Sequence, residues 1–275
     1  MRNIKVSKIG LISLALAVLV AGVIFWILNN HSEASTVAPN NDLTQAVASN
    51  NLVPITSVPI LMYHYIRNAD PSDTLGANLS VSPENFSRQL EYLTANNYQT
   101  ISLAQLLDGF SGDYKIEDGK KPIVLTFDDG YDDAYTQAYP ILKKHNMTAT
   151  FYIITGQIGN SERMTVDQIK ELDANGMIIG SHTKNHLDIS SLSTSQLEIQ
   201  LSESKSYLEQ LLGHPVVDFC YPAGKYNQDN INSLKNDGYL TATATKSGIA
   251  DTKSNLFELP RIRMQNSTDL TKLLK

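Results

Sequence analysis

Two carboxylates stand side by side in Thr126-Phe127-Asp128-Asp129-Gly130, directly after the apolar run Ile123-Val124-Leu125. Such a run, closed by a turn-forming glycine, reads as a buried strand whose C-terminal end delivers charge to a tight turn. Adjacent carboxylates repel and are costly to desolvate, so a folded chain keeps the pair where a cation, a shared proton or water compensates it. Ser181-His182-Thr183-Lys184-Asn185-His186 supplies two imidazoles four residues apart, able to face one cation from a helical turn or from a loop folded back on itself. One carboxylate with two imidazoles leaves coordination positions open, as a catalytic metal centre requires. A third segment, Phe219-Cys220-Tyr221-Pro222-Ala223-Gly224-Lys225-Tyr226, carries Pro-Ala-Gly, a tight turn that exposes backbone N–H groups. Beside a metal, such donors hold an oxyanion. Taken singly, the three segments have bland readings too: an ordinary Asp-Asp-Gly turn, structural histidines and a plain strand-to-helix turn.

The elements around these segments place all three at strand exits. Strand signals cover Val58 to Tyr63, Tyr98 to Ser102, Thr148 to Ile154, Met177 to Gly180, Val216 to Cys220, Tyr239 to Thr243 and Phe257 to Met264. Helical periodicity falls between them: after Ser82 with Pro83 at the first helical position, over Leu103 to Phe110, Asp132 to Lys144, Val166 to Ala174, Thr194 to Leu212 and Gln228 to Asn236. Ser111 to Lys121 reads as a polar loop. Strand and helix alternating in this way argue for an α/β fold with a parallel sheet, closed as a barrel, and such folds put their chemistry at the C-terminal ends of the strands.

Residues 9–28 contain no charge and no proline, long enough at the helical rise to cross a hydrocarbon core of about 30 Å. Arg2, Lys5 and Lys8 precede this run and Glu33 is the first charge after it, so residues 1–8 are expected in the cytoplasm and everything after Leu28 outside. A cleaved signal peptide competes with this reading, but the run exceeds the usual apolar core of about 7–15 residues. Residues 29–57, rich in Asn, Ser, Thr and Ala, read as a flexible stalk, and 58–275 as the working domain. After residue 28 the chain has 19 Lys and Arg against 28 Asp and Glu, a net charge of −9. That balance excludes a nucleic-acid partner and favours a neutral substrate. Cys220 is the only cysteine, so no intrachain disulfide forms and a sizeable core must hold the exported domain.

The three motifs, in this order, resemble those of the NodB-type polysaccharide deacetylases, carbohydrate esterase family 4, over residues 121–275. The resemblance implies a distorted, TIM-like (β/α) barrel of about seven strands and metal-dependent removal of N- or O-acetyl groups from a polysaccharide. It implies Asp128 as base, and Asp129, His182 and His186 as ligands of a divalent metal, usually zinc. Ala223, with Tyr221 and Pro222, falls where the family holds the oxyanion and substrate. Three features depart from the family pattern: Cys220 stands where an arginine is common, Ala223 stands in place of an aromatic residue, and no histidine follows His214 to supply the usual late acid. Pro59 to His64 instead has the form of an apolar strand ending in histidine and is similar to the poly-N-acetylglucosamine branch. In a closed barrel the first and last strands are neighbours, so His64 is the expected acid. Arg261 and Arg263 alternate along the last strand, where one can orient Asp128 or both can lie on a solvated edge. Tyr63, Tyr131, Tyr221 and Tyr226 are expected near the mouth as sugar-stacking or core residues. The chain is thus expected to be an anchored, extracytoplasmic enzyme acting on peptidoglycan or poly-N-acetylglucosamine. A non-catalytic cell-wall carbohydrate-binding module and a metal-dependent phosphoesterase are the rival classes, the latter with only Lys184 and Lys225 to meet a phosphate.

Overall fold

The computed structural model describes residues 51–274 other than Pro71. The expected anchor at 9–28 and nearly all of the expected stalk lie outside the described residues. No helix among the described residues is long and apolar enough to cross a membrane.

Seven parallel strands carry the fold: β1 (Ile60–Tyr63), β2 (Lys121–Phe127), β3 (Thr150–Ile153), β4 (Ile178–Ser181), β5 (Asp218–Cys220), β6 (Thr241–Thr243) and β7 (Ile262–Arg263). They are hydrogen-bonded in the order β6-β5-β4-β3-β2-β1-β7, and Tyr98–Thr100 pairs with the start of β2 as a branch. The first and last strands are therefore adjacent, with Ile262 opposite Leu61. Just upstream of β7, Leu259 bridges Thr243 of β6 in parallel. One segment thus touches both edges of the sheet and draws it into a distorted barrel, the α/β architecture expected.

The helices between the strands begin where side chains satisfy the first free N–H groups. Ser82 caps α1 (Pro83–Ala95), and reciprocal Ser102–Gln105 and Thr165–Gln168 capping boxes open α2 (Leu103–Ser111) and α4 (Val166–Ala174). Between these two, a π-helical turn, Ala134–Ala138, runs into α3 (Tyr139–Lys144), with Pro140 in its first turn. The long α5 (Thr194–Leu212) ends at left-handed Gly213, and α6 (Gln228–Asn236) follows. Strand alternation sorts the core. Leu61, Tyr63, Leu125, Phe127, Phe151 and Ile179 face outward against α1, α3 and α4, while Ile60, Val124, Tyr152 and Cys220 face the interior.

The folded unit starts earlier than expected. Leu52–Pro54 pairs antiparallel with Lys115–Glu117, inside the segment read as a polar loop, and Ile55 is buried in the interior cluster. Residues 52–57 therefore belong to the domain rather than the stalk; a strand of three residues with only Val53 partly buried is too short to show a period. The segment between β1 and α1 also carries structure that no sequence signal marked: Tyr65–Ile66 pairs with Ser80–Val81 around a short helix, Thr74–Leu79.

Candidate active site

Along β2, Val124, Thr126 and Asp128 alternate onto the inner face, so Asp128 ends its strand pointing into the barrel, 3% exposed. Simple alternation would send Asp129 the opposite way. Instead Asp129 adopts φ 73° and Gly130 φ 69°, a left-handed turn that swings the second carboxylate back over the same mouth. For a non-glycine residue that conformation costs about 1–2 kcal/mol, which the surrounding contacts must offset. Arg163 contributes: its guanidinium donates to the Asp129 carbonyl at 2.9 Å and lies 3.9 Å over the Tyr131 ring. The adjacent carboxylates thus end in separate surroundings.

Asp128 faces Arg261, which is fully buried. Nη1 donates to Oδ1 at 2.7 Å and Nη2 to Oδ2 at 2.8 Å. The other donors reach Thr126 Oγ1 at 3.0 Å, Cys220 Sγ at 3.2 Å and the Ala244 carbonyl at 2.9 Å, which gives all five guanidinium N–H groups a partner. Burial pushes the Asp128 carboxyl up, but Arg261 outweighs it and holds the group below the usual carboxylate range. Cys220 carries a small side chain where the family pattern has arginine, and the Arg261 head group occupies the space beside it. The sequence leaves Arg261 open between this role and a solvated edge, because alternation on a two-residue strand does not say which face is inward.

Asp129 faces the two imidazoles. His182 Nε2 and His186 Nε2 each lie 3.4 Å from Asp129 Oδ1. His182 leaves β4 with its backbone N–H on the Ile153 carbonyl and its Nδ1–H donated to the Cys220 carbonyl at 2.7 Å. That hydrogen bond fixes the ring and turns Nε2 towards the site, where it offers a lone pair to a cation once its proton leaves. The loop then folds back through left-handed Thr183 and His186, the Thr183 hydroxyl accepting the His186 N–H at 2.9 Å. The spacing of four arises from this loop and not from a helical turn. Burial opposes charge on His182 but is outweighed by Cys220 and the Asp129 hydrogen bond, leaving its pKa well above the ordinary value; burial lowers that of His186.

The fit to a metal rests on this geometry. Asp129, His182 and His186 offer one oxygen and two nitrogens within 4.8 Å of one another, with His182 buried and His186 half-exposed, so the cluster is open on one side. A one-carboxylate, two-imidazole set suits a divalent ion of zinc type.

His64 stands at the exit of β1, its Nε2 3.8 Å from Asp128 Oδ2, and its Nδ1 is buried with no hydrogen-bond partner. Burial lowers its pKa, in part offset by Asp128 and Asp129. A cavity of about 470 Å³ joins His64, Asp128, Asp129, His182, His186, Tyr221 and Ala223, with Leu75, Asn78, Leu79, Thr245, Arg263 and Gln265 around them. Ala223 sits in its turn at φ 52°. Pro222 is buried behind the turn and does not line the cavity. Tyr63 is core, its hydroxyl on Gln89 at 2.9 Å; Tyr131 stacks on Tyr65 and Tyr226 on Tyr221. Lys184 and Lys225 are engaged by Glu203 and Asp188, which leaves the phosphoesterase reading without its two cations. Sequence reading missed Leu75, Asn78 and Leu79, on a connecting segment with no periodic signal, and Thr245, Gln265 and Arg163, which carry no motif.

The geometry agrees with what the chain is similar to. The family described as polysaccharide deacetylase matches residues 115–242. YxkH of Bacillus subtilis (strain 168) is 32% identical over 207 residues, 75% of this chain and 71% of that protein. The poly-beta-1,6-N-acetyl-D-glucosamine N-deacetylase of Staphylococcus aureus (strain MRSA252) is 27% identical over 228 residues, 74% of this chain and 77% of that one. Among solved structures, the Streptococcus pyogenes deacetylase PplD in complex with acetate is 34% identical with a TM-score of 0.75, covering 81% of this chain and 98% of the other.

Proposed function

The chain belongs to the polysaccharide deacetylase family and is an enzyme of that class, and from that premise we propose a metal-dependent hydrolase that removes acetyl groups from an N-acetylglucosamine-containing cell-surface polysaccharide. The observation that carries this reading is the meeting of Asp129, His182 and His186 on one side of a cavity whose other side holds the Asp128–Arg261 pair. Asp129, His182 and His186 would hold the ion, with zinc the best match to their donor atoms. A divalent ion there would polarise the acetyl carbonyl and make a water more acidic.

The chain's own groups do the rest. Asp128, kept ionised by Arg261, takes a proton from the attacking water. The backbone at Ala223 lines the cavity and offers its N–H to the oxyanion that forms as oxygen adds to the acetyl carbon. His64, its Nε2 3.8 Å from Asp128 Oδ2, donates a proton to the nitrogen as the C–N bond breaks. Residues 9–28 anchor the enzyme in the cell membrane, with the working domain extracytoplasmic.

The reading is tested by measuring acetate released by the purified protein from poly-N-acetylglucosamine, chitin oligomers, peptidoglycan glycan and acetylated xylan, with and without chelator. We expect release from an N-acetylglucosamine polymer, its loss on chelation and its return with zinc. Asp128→Asn lowers kcat by about 10²-fold or more while zinc content is kept. Binding without release in both wild type and Asp128→Asn would establish the carbohydrate-binding module instead.

A further inference from the structure

Most of the charge around the cavity is already matched. Arg261 takes up Asp128, and two imidazoles face Asp129. Nearby, Lys184 pairs with Glu203 at 2.6 Å, Lys225 with Asp188 at 2.9 Å, and Arg67 lies within 3.9 Å of both Asp73 and Glu162. Arg263 differs. It is the only lysine or arginine lining the cavity, and among the described residues no hydrogen bond or ion pair reaches its guanidinium.

Its direction follows from the strand. Arg261 and Arg263 are two positions apart on one strand and so project from the same face. Arg261 is buried against Asp128, and Arg263 stands one step nearer the opening, exposed. Its register partner is Met62, two residues before His64. Thr245 and Gln265 line the same cavity, and the Gln265 amide donates to the Asn78 carbonyl at 3.4 Å. A guanidinium in a cavity that also holds a hydroxyl and an amide suits the paired oxygens of a carboxylate or a phosphate. A wholly neutral polymer would cover this cation and give it no counter-charge, at a desolvation cost.

We propose that Arg263 is a specificity-determining residue that binds an anionic substituent, a carboxylate or a phosphodiester, carried by the polysaccharide beside the acetamide being hydrolysed. This rests on the deacetylase reading above and narrows its substrate. The net charge of −6 favours a neutral polymer at long range, but salt screens that field beyond about 8 Å, and contact with Arg263 is direct.

The test measures acetate release by the full chain with zinc from four short substrates of equal length. They are an N-acetylglucosamine oligomer, the same oligomer bearing a methyl phosphodiester, an N-acetylglucosamine–N-acetylmuramic acid oligomer with free lactyl carboxylates, and that oligomer as its methyl ester. In wild type, kcat/KM for the free acid exceeds that for the ester by about 10-fold or more, chiefly through KM, or the phosphodiester exceeds the bare oligomer by as much. Which of the two ratios is raised identifies the source of the charge. Arg263→Leu brings the raised ratio to near one and Arg263→Lys keeps part of it. Should Arg263→Leu fail to fold, the wild-type ratios and the lysine variant decide. Equal rates for charged and uncharged partners, or a ratio that survives in Arg263→Leu, overturn the assignment and leave the deacetylase reading standing. No acetate from any of the four overturns that reading, and this one with it.

Discussion

Two carboxylates are buried in the barrel interior, and their surroundings push their pKa values in opposite directions. Asp128 is ionised because Arg261 grips both its oxygens; removing the guanidinium would strand the charge, a loss of about 3–5 kcal/mol for a buried pair. Asp218, buried on β5, has no such cation among the described residues. Its Oδ1 accepts from Thr241 Oγ1 at 2.6 Å, and burial pushes its carboxyl up to about 6 from an ordinary 3.8. A raised folded pKa means that the stabilisation is complete below the unfolded value and is lost as pH rises towards about 6. The loss amounts to roughly 3 kcal/mol by linkage. Asp218→Asn keeps the acceptor for Thr241 and removes the titration. The melting temperature of Asp218→Asn relative to wild type should therefore climb between pH 4 and pH 6 and level off above. A constant difference across that range would show that the group does not titrate as the burial implies.

At the scale of elements, the two metal-facing histidines depend on β4 lying close against its neighbours. Gly180 makes this approach possible: a Cβ there would come within 2.6 Å of the Tyr152 ring and 3.0 Å of the Asp218 carbonyl. Tyr152 is itself fully buried beneath Arg261, so neither neighbour has room to give. Gly180→Ala should cost about 1–3 kcal/mol by overpacking and displace His182 two residues on. Denaturant unfolding and a zinc titration together check this. Wild-type zinc affinity in a variant of normal stability would mean that the strand spacing does not set the ligand geometry. The motif turns add a second device of this scale, since left-handed Asp129, Thr183, His186 and Ala223 each bend a strand exit back over the mouth.

For the molecule as a whole, the ligands come from two strand exits, after β2 and β4, so an ion bound to them requires the folded barrel and binds the unfolded chain far less well. Mass action would then couple such an ion to stability, by about 2.7 kcal/mol at a hundredfold excess over Kd. For a chain of 275 residues this is a rise of roughly 5–10 °C in Tm. Because His186 is half-exposed, His186→Ala should leave the metal-free Tm nearly unchanged and abolish most of the rise. A full rise in that variant would place the ion elsewhere. The closing segment works at the same scale, since residues 259–263 join both sheet edges and deliver Arg261 to Asp128.

The sequence by itself determined the alternation of strand and helix and the presence of ionisable groups at two strand exits. Both follow from local periodicity and from residue types that are costly to bury without partners. It also pointed to His64, through the adjacency of first and last strands in a closed barrel. What only the tertiary structure decided is how the charges pair. Arg261 lies 133 positions from Asp128, and no local pattern records which face of a two-residue strand is inward. The same limit hid the start of the domain at Leu52, whose strand has meaning only against Lys115–Glu117, and the lone cation Arg263. A charge is recognisable as unpaired only when every neighbour that might have met it is in place.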